Sequence, residues 1–220
     1  MKPFFLAACV CGLFLGDLNA AVVNGKVMFL TKRGQRPIVN ETLVWLDPAG
    51  RAPKRPATTA TMTTRSKAFL PHILAVPSGS TINFPNEDPI SHNLFSLTPG
   101  HTFDLGLYRK GPGKTEKFEA PGVVNIYCNV HPNMSAVVHV MQTPYYGFTD
   151  ANGDYSFDVP AGKYRVTAWN EQGGSVFSDI EVKGDGSVAG PTLLTIDGRN
   201  FRVVQHLNKN GQAYRAPRDY

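Results

Sequence analysis

Three features of the sequence predict an all-β chain. Gly and Pro are frequent, at 21 and 17 of 220 residues, while charged residues make up only 18%. Short β-branched and aromatic runs recur between turn signals. Within those runs the apolar residues alternate with period two, as on a strand with one buried face.

Residues 1–21 read as an export signal. Lys2 supplies a minimal positive region, Phe4 to Leu15 an apolar run, and Asp17 to Ala21 a small-residue region that predicts cleavage after Ala20 or Ala21. Leu6 to Cys9 resembles a lipoprotein box only superficially, because too little apolar sequence precedes Cys9. No later stretch approaches the ~18 apolar residues of a membrane span. The expectation is a soluble protein of the periplasm or the medium.

Residues 22–56 predict a strand from Gly25 to Leu30, a turn through Lys32 to Gly34, and a strand from Glu41 to Leu46 with Leu43 and Trp45 on one face. A Pro-rich basic linker follows at 48–56. From 57 to 142 the strands are short and closely spaced. Ile82 and Phe84 alternate in one, and a loop of turn formers, Asn-Glu-Asp-Pro, delivers His92 to the next. Val124, Ile126 and Cys128 then share a face, and Ala136, Val138 and Val140 alternate on the returning strand. The unit 143–197 contains an Asp150-Ala-Asn-Gly153 turn and strands with Tyr155, Phe157 and Val159, then Tyr164, Val166 and Ala168, on one face. Residues 198–220 hold no sustained pattern beyond one possible strand in Val203 to Leu207 and predict a basic, flexible tail.

The net charge of +5 is unevenly spread. Seven Lys/Arg against Glu41 and Asp47 give +5 over 22–56, six against five give +1 over 57–142, three against eight give −5 over 143–198, and five against Asp219 give +4 beyond. The basic N-terminal segment and tail could meet an acidic partner or an anionic surface, although charge runs are usually just solvated. An exported chain is not expected to meet nucleic acid.

Chemistry concentrates in Cys128-Asn-Val-His131-Pro-Asn-Met134. Loss of Cys9 and Cys11 with the signal leaves Cys128 without a disulfide partner in an oxidising compartment. It could be an inert buried thiol. With an imidazole and a thioether at three-residue spacing, metal ligation is the better account. A His2Cys trigonal set with a long axial Met is the ligand pattern of an electron-transfer copper site; His92 is the candidate second histidine. Met134 could alternatively fill the core. A single thiol excludes a binuclear dithiolate centre. His72, His101, His139 and His206 read as structural or exposed. Asp150-x-Asn152-Gly-Asp154 has its Gly at the fourth place, where a calcium loop needs it at the sixth, and reads as a hairpin turn.

Two resemblances add to this. Residues 57–142, through Val76-Pro-Ser-Gly-Ser-Thr-Ile-Asn-Phe, His92-Asn93 and Cys128-x2-His131-x2-Met134, resemble the cupredoxins, and the ligand loop with Pro132 after its histidine is closest to amicyanin's. The resemblance implies a Greek-key β-sandwich holding one copper ion on His92, Cys128, His131 and Met134. It also implies supporting roles for Asn93, tying the His92 loop to the Cys128 loop, and for Pro132. Residues 144–170, through Thr149-Asp-Ala-Asn-Gly-Asp-Tyr and Val159-Pro-Ala-Gly-Lys-Tyr, resemble the carboxypeptidase regulatory-like, or transthyretin-like, sandwich, and residues 22–47 look like its opening strands. The cupredoxin would then be inserted in the second sandwich. The whole arrangement is similar to exported bacterial proteins labelled methylamine-utilisation proteins, a label that fixes no activity.

Two functions fit: an electron carrier shuttling single electrons between redox protein partners, or a periplasmic copper-binding scaffold or delivery protein. No Ser-His-Asp or paired-carboxylate arrangement argues for an enzyme.

Overall fold

The computed structural model describes residues 20–37, 42–202 and 204–214. The expected export signal lies outside them apart from Ala20 and Ala21. As expected, every regular element among the described residues is a strand.

The chain opens with β1 (Ala20–Thr31), β2 (Gly34–Pro37) and β3 (Leu43–Pro48) and continues after residue 141 with β14 (Tyr146–Phe148), β15 (Asp154–Pro160), β16 (Gly162–Asn170), β17 (Gly174–Val182), β18 (Val188–Ala189) and β19 (Leu193–Asp197). These strands form two sheets, β15-β1-β19 with β2 against β1, and β14-β3-β16-β17-β18. Among the described residues, β1 to β3 pair with one another and with these later strands only. The alternating residues turn inward between the two sheets: Val23, Val27 and Phe29 from β1, Val44 and Leu46 from β3, Tyr155 and Val159 from β15, and Tyr164, Val166 and Ala168 from β16. Leu43 and Trp45 do share a face, the one turned away from this core.

The Asp150 turn is a hairpin. The N–H groups of Asn152 and Asp154 donate to Asp150 Oδ1 at 2.8 and 2.9 Å. Gly153 is required there, since at φ +82° a Cβ would lie 2.3 Å from the Val27 carbonyl oxygen.

Between these two halves come β4 (Thr59–Thr61), β5 (Thr63–Arg65), β6 (Ala68–Leu70), β7 (Ile73–Pro77), β8 (Ser80–Asn86), β9 (His92–Ser96), β10 (Phe103–Tyr108), β11 (Gly111–Phe118), β12 (Gly122–Tyr127) and β13 (Ser135–Met141). They also make two sheets, β11-β8-β5-β6 with β4 against β8, and β10-β9-β12-β13-β7. A second core fills the space between them: Met62, Phe69, Val76, Ile82, Phe84, Leu94, Phe118, Val124, Ile126 and Val138 are each at most 2% exposed, and Cys128 and Met134 extend the same cluster.

His139, on the outer face of β13, is buried between Trp45 and Trp169, with ring centroids 6.1 and 4.3 Å away. Nearby, His72 bonds Glu171 Oε2 at 2.7 Å and the Ser135 carbonyl at 3.0 Å. Both histidines join one sandwich to the other.

Candidate metal centre

β12 and β13 pair from Gly122↔Val140 to Tyr127↔Ser135, so the segment 128–134 is a tight connection between neighbours in one sheet. Its ends are pinned: the Cys128 N–H donates to the Met134 carbonyl at 3.1 Å, and the Met134 N–H donates to the His131 carbonyl at 3.1 Å. Cys128 therefore keeps the inward phase of Val124 and Ile126 and is fully buried. β9 lies antiparallel to β12 with Phe95 opposite Tyr127. Continuing that register brings His92 level with the loop just beyond Cys128.

Three of the four residues expected to bind metal converge. The Cys128 Sγ lies 3.8 Å from His92 Nδ1 and 3.6 Å from His131 Nδ1. All three donor atoms lie within 4.8 Å of one another, the one such His/Cys/Asp/Glu group found among the described residues. Bonds of about 2.3 Å to a thiolate and about 2.0–2.1 Å to an imidazole, as at zinc, leave S and N about 3.5–3.8 Å apart at tetrahedral to trigonal angles. The two sulfur–nitrogen separations thus match those of donors sharing one metal ion. Met134 is 2% exposed and packs in the same apolar cluster as Cys128.

His92 is fully buried and oriented by a group that sequence reasoning missed. Its Nε2 lies 2.9 Å from Asp88 Oδ2, which assigns the proton to Nε2 and leaves the Nδ1 lone pair facing Cys128. Asp88 is held in turn by the two-residue turn between β5 and β6. Ser66 and Lys67, at φ 54° and 57°, aim their N–H groups at the carboxylate, at 2.6 and 2.9 Å. Positive φ is costly for non-glycine residues, and these two bonds offset that cost. Burial pushes the Asp88 carboxyl up, but the N–H groups of Lys67 and Ser66 and the His92 ring outweigh it and hold the group below its usual range. The signal was present in the sequence, an acidic residue in a turn-forming loop four residues before the ligand.

His131 is half-buried, its ring centroid 4.8 Å from that of His92. Burial above all, with the Lys67 charge adding to it, holds its imidazole below the ordinary range, which favours the neutral form that ligates. Pro132 beside it is also half-buried.

Asn93 is arranged differently from the expected tie to the Cys128 loop. It points to the outer face of the sheet, where its amide donates to Asp104 Oδ1 at 2.6 Å on neighbouring β10. The described tail residues also depart from the pattern expected of them. Residues 204–214 carry no strand, yet they lie against this centre: the Tyr214 hydroxyl donates to the Cys128 carbonyl at 2.8 Å, and the His206 ring stacks on Tyr127 at 4.5 Å. Nothing in their periodicity marks this, since an irregular segment docks through isolated side chains.

The fold and the site together define a β-sandwich with a thiol and two imidazoles converging at one tip. Among solved structures the chain is similar to a purple cupredoxin from Nitrosopumilus maritimus, with 26% identity over 37% of this chain and 99% of that one, at a TM-score of 0.32. It is also similar to an oxidised single-residue variant of amicyanin, with 16% identity over 44% and 99% of the two chains and a TM-score of 0.36. A reduced amicyanin variant matches at 18% identity over 44% and 99%, with a TM-score of 0.35. No protein-family model and no curated protein matches the chain.

Proposed function

We propose that this chain is a mononuclear copper protein that passes single electrons between redox partners, with His92, Cys128 and His131 as a trigonal ligand set and Met134 as the axial ligand. The observation that carries this reading is the convergence of one buried thiol and two Nδ1 atoms at 3.6 and 3.8 Å, beside a buried thioether. One soft sulfur, two imidazoles and a thioether suit copper better than a hard cation. Bound copper would supply a one-electron couple. The chain supplies the rest. Asp88 keeps His92 in its ligating tautomer, the β12–β13 pairing fixes Cys128, and the apolar cluster of the second core keeps water from the thiol. Such a preformed site requires little rearrangement when its charge changes. His131, the ligand that reaches the surface, is the proposed electron port, with Pro132 and the exposed Val130 as its apolar rim.

Reconstitution with Cu(II) is expected to give an intense visible thiolate-to-copper band that Cys128→Ser abolishes. A colourless Cu(II)-loaded protein overturns the assignment. The alternative, a copper scaffold or delivery protein, predicts exchangeable Cu(I) and no reversible couple in voltammetry.

We further propose that β4 to β13 form an inserted unit within the sandwich of β1–β3 and β14–β19, in line with their separate pairing. The protein is proposed to be exported. Cleavage before Ala21 would retain that residue, 5% exposed, in the first core, and N-terminal sequencing of the mature protein tests this. Arg51, Lys54 and Arg55 outnumber Asp47 among the residues lining a cleft of about 670 Å³, and this basic cleft is the proposed contact for an acidic partner.

A further inference from the structure

Asn93 and the Cys128 loop are joined after all, through a third segment of the chain. From Asn93 the contacts run to Asp104, which also accepts the Gly106 N–H at 2.9 Å. Lys209 Nζ reaches the other Asp104 oxygen, Oδ2, at 2.7 Å, while the Lys209 backbone N–H donates to Asn129 Oδ1 at 2.9 Å. One residue of the tail thus bonds the loop that begins with Cys128 directly, and the strand that begins with His92 through Asp104 and Asn93. Two more bonds bind the tail to the same loop: Tyr214 Oη to the Cys128 carbonyl at 2.8 Å, and Gln205 Nε2 to Asn133 Oδ1 at 3.3 Å.

The segment has the internal order that this task requires. Asn208 Oδ1 accepts the N–H groups of Asn210 and Gln212 at 2.9 and 3.0 Å, and the Asn208 N–H donates to the Gln212 carbonyl at 2.8 Å, so 208–212 is a closed turn. His206 packs on Tyr127, on Phe95 at 6.3 Å and edge-on to Tyr214 at 5.4 Å. Phe95 belongs to the outer face of its sheet, yet it is fully buried. An aromatic ring on an outer sheet face is withdrawn from water only when something covers it, and His206 and Tyr127 are the rings against it.

We propose that residues 205–214 are a positioning strap of the metal centre, in which Lys209 and Tyr214 hold the Cys128 loop and the His92 strand at ligating separation before any metal arrives. The inference rests on the copper reading for its purpose but not for its geometry. Lys209 links the two segments through Asn129 and through Asp104 and Asn93. Tyr214 caps the carbonyl of the thiol-bearing residue. Neither touches a donor atom, so both act through the residues that do.

The test uses the full-length protein with Lys209→Gln, Tyr214→Phe and the two combined. Hydrogen exchange of the metal-free protein is expected to show faster exchange of the 129–134 amides in the double variant, with the β12 and β13 amides unchanged. In the copper-loaded protein each single variant is expected to lose copper to a chelator about 2- to 10-fold faster, the scale of one net hydrogen bond. The double variant should lose it faster still, with an altered Cu(II) hyperfine splitting, and Lys209→Arg should restore most of the difference. Loop exchange and copper loss within twofold of wild type in the double variant overturn the strap. If wild-type protein binds no copper, the copper reading fails instead, and the exchange measurement alone still decides the strap.

Discussion

At His92 the two ring nitrogens have separate tasks, and the division is enforced from outside the ligand set. Nδ1 faces the thiol because Nε2 is engaged by Asp88, and Asp88 is engaged because the Ser66-Lys67 turn directs two N–H groups at it. Outer groups of this kind are worth about 10- to 100-fold in metal affinity. Asp88→Asn should therefore weaken copper binding by about that factor, measured by chelator competition, with the band position nearly kept because the three donors remain. The residues proposed as ligands were legible in the sequence, since a thiol, an imidazole and a thioether three residues apart are a strong chemical coincidence. Asp88 was half legible, lying four residues before His92. The Ser66-Lys67 turn, some twenty residues earlier, was not, because the contact depends on how β5 and β8 pair.

Among the elements, β9, β12 and β13 decide whether the site exists. Cys128 faces inward only because β12 keeps its phase, with Val124 and Ile126 fully buried two residues apart. Ile126→Ala should cost about 2–5 kcal/mol, as typical for a buried aliphatic truncation, read as a lower urea midpoint, and copper should be retained less well as the strand end loosens. The period-two reading agrees with the structure in β12, which has one face on a core, while β13 is buried on both. In β9 all five residues are buried, which an alternation with one solvent face does not describe. Its inner face lines the core and the metal centre, while its outer face carries Phe95 beneath His206, a cover contributed by residues far along the chain.

For the whole molecule the informative residue is His139. Burial between Trp45 and Trp169 holds its imidazole at about 4, well below the ordinary value. Because the folded state refuses a proton that the unfolded chain accepts, stability should be undiminished above pH ~6.5 and fall as pH drops from there to about 4. Below that both states are protonated and the loss levels off at roughly 3 kcal/mol. Urea unfolding of wild type and His139→Phe at pH 7 and pH 4.5 checks the sign: the advantage of the variant should grow on acidification. A constant difference would refute it. Sequence alone marked His139 as facing away from Val138 and Val140 and no more, since an outward residue on a strand is solvated unless a second body covers it.

By itself the sequence determined the all-β class, the alternation that builds each core, and the residues of the candidate metal centre. Those are local properties, written in residue type and spacing. Only the tertiary structure decided which strands share a sheet across the long excursion from β3 to β14, what holds His92 by its far nitrogen, and where the tail lies. Each depends on contacts between residues distant in the chain, a strand ladder for the shared sheets and isolated hydrogen bonds and stacked rings for His92 and the tail, and no period within one segment names its partner in another.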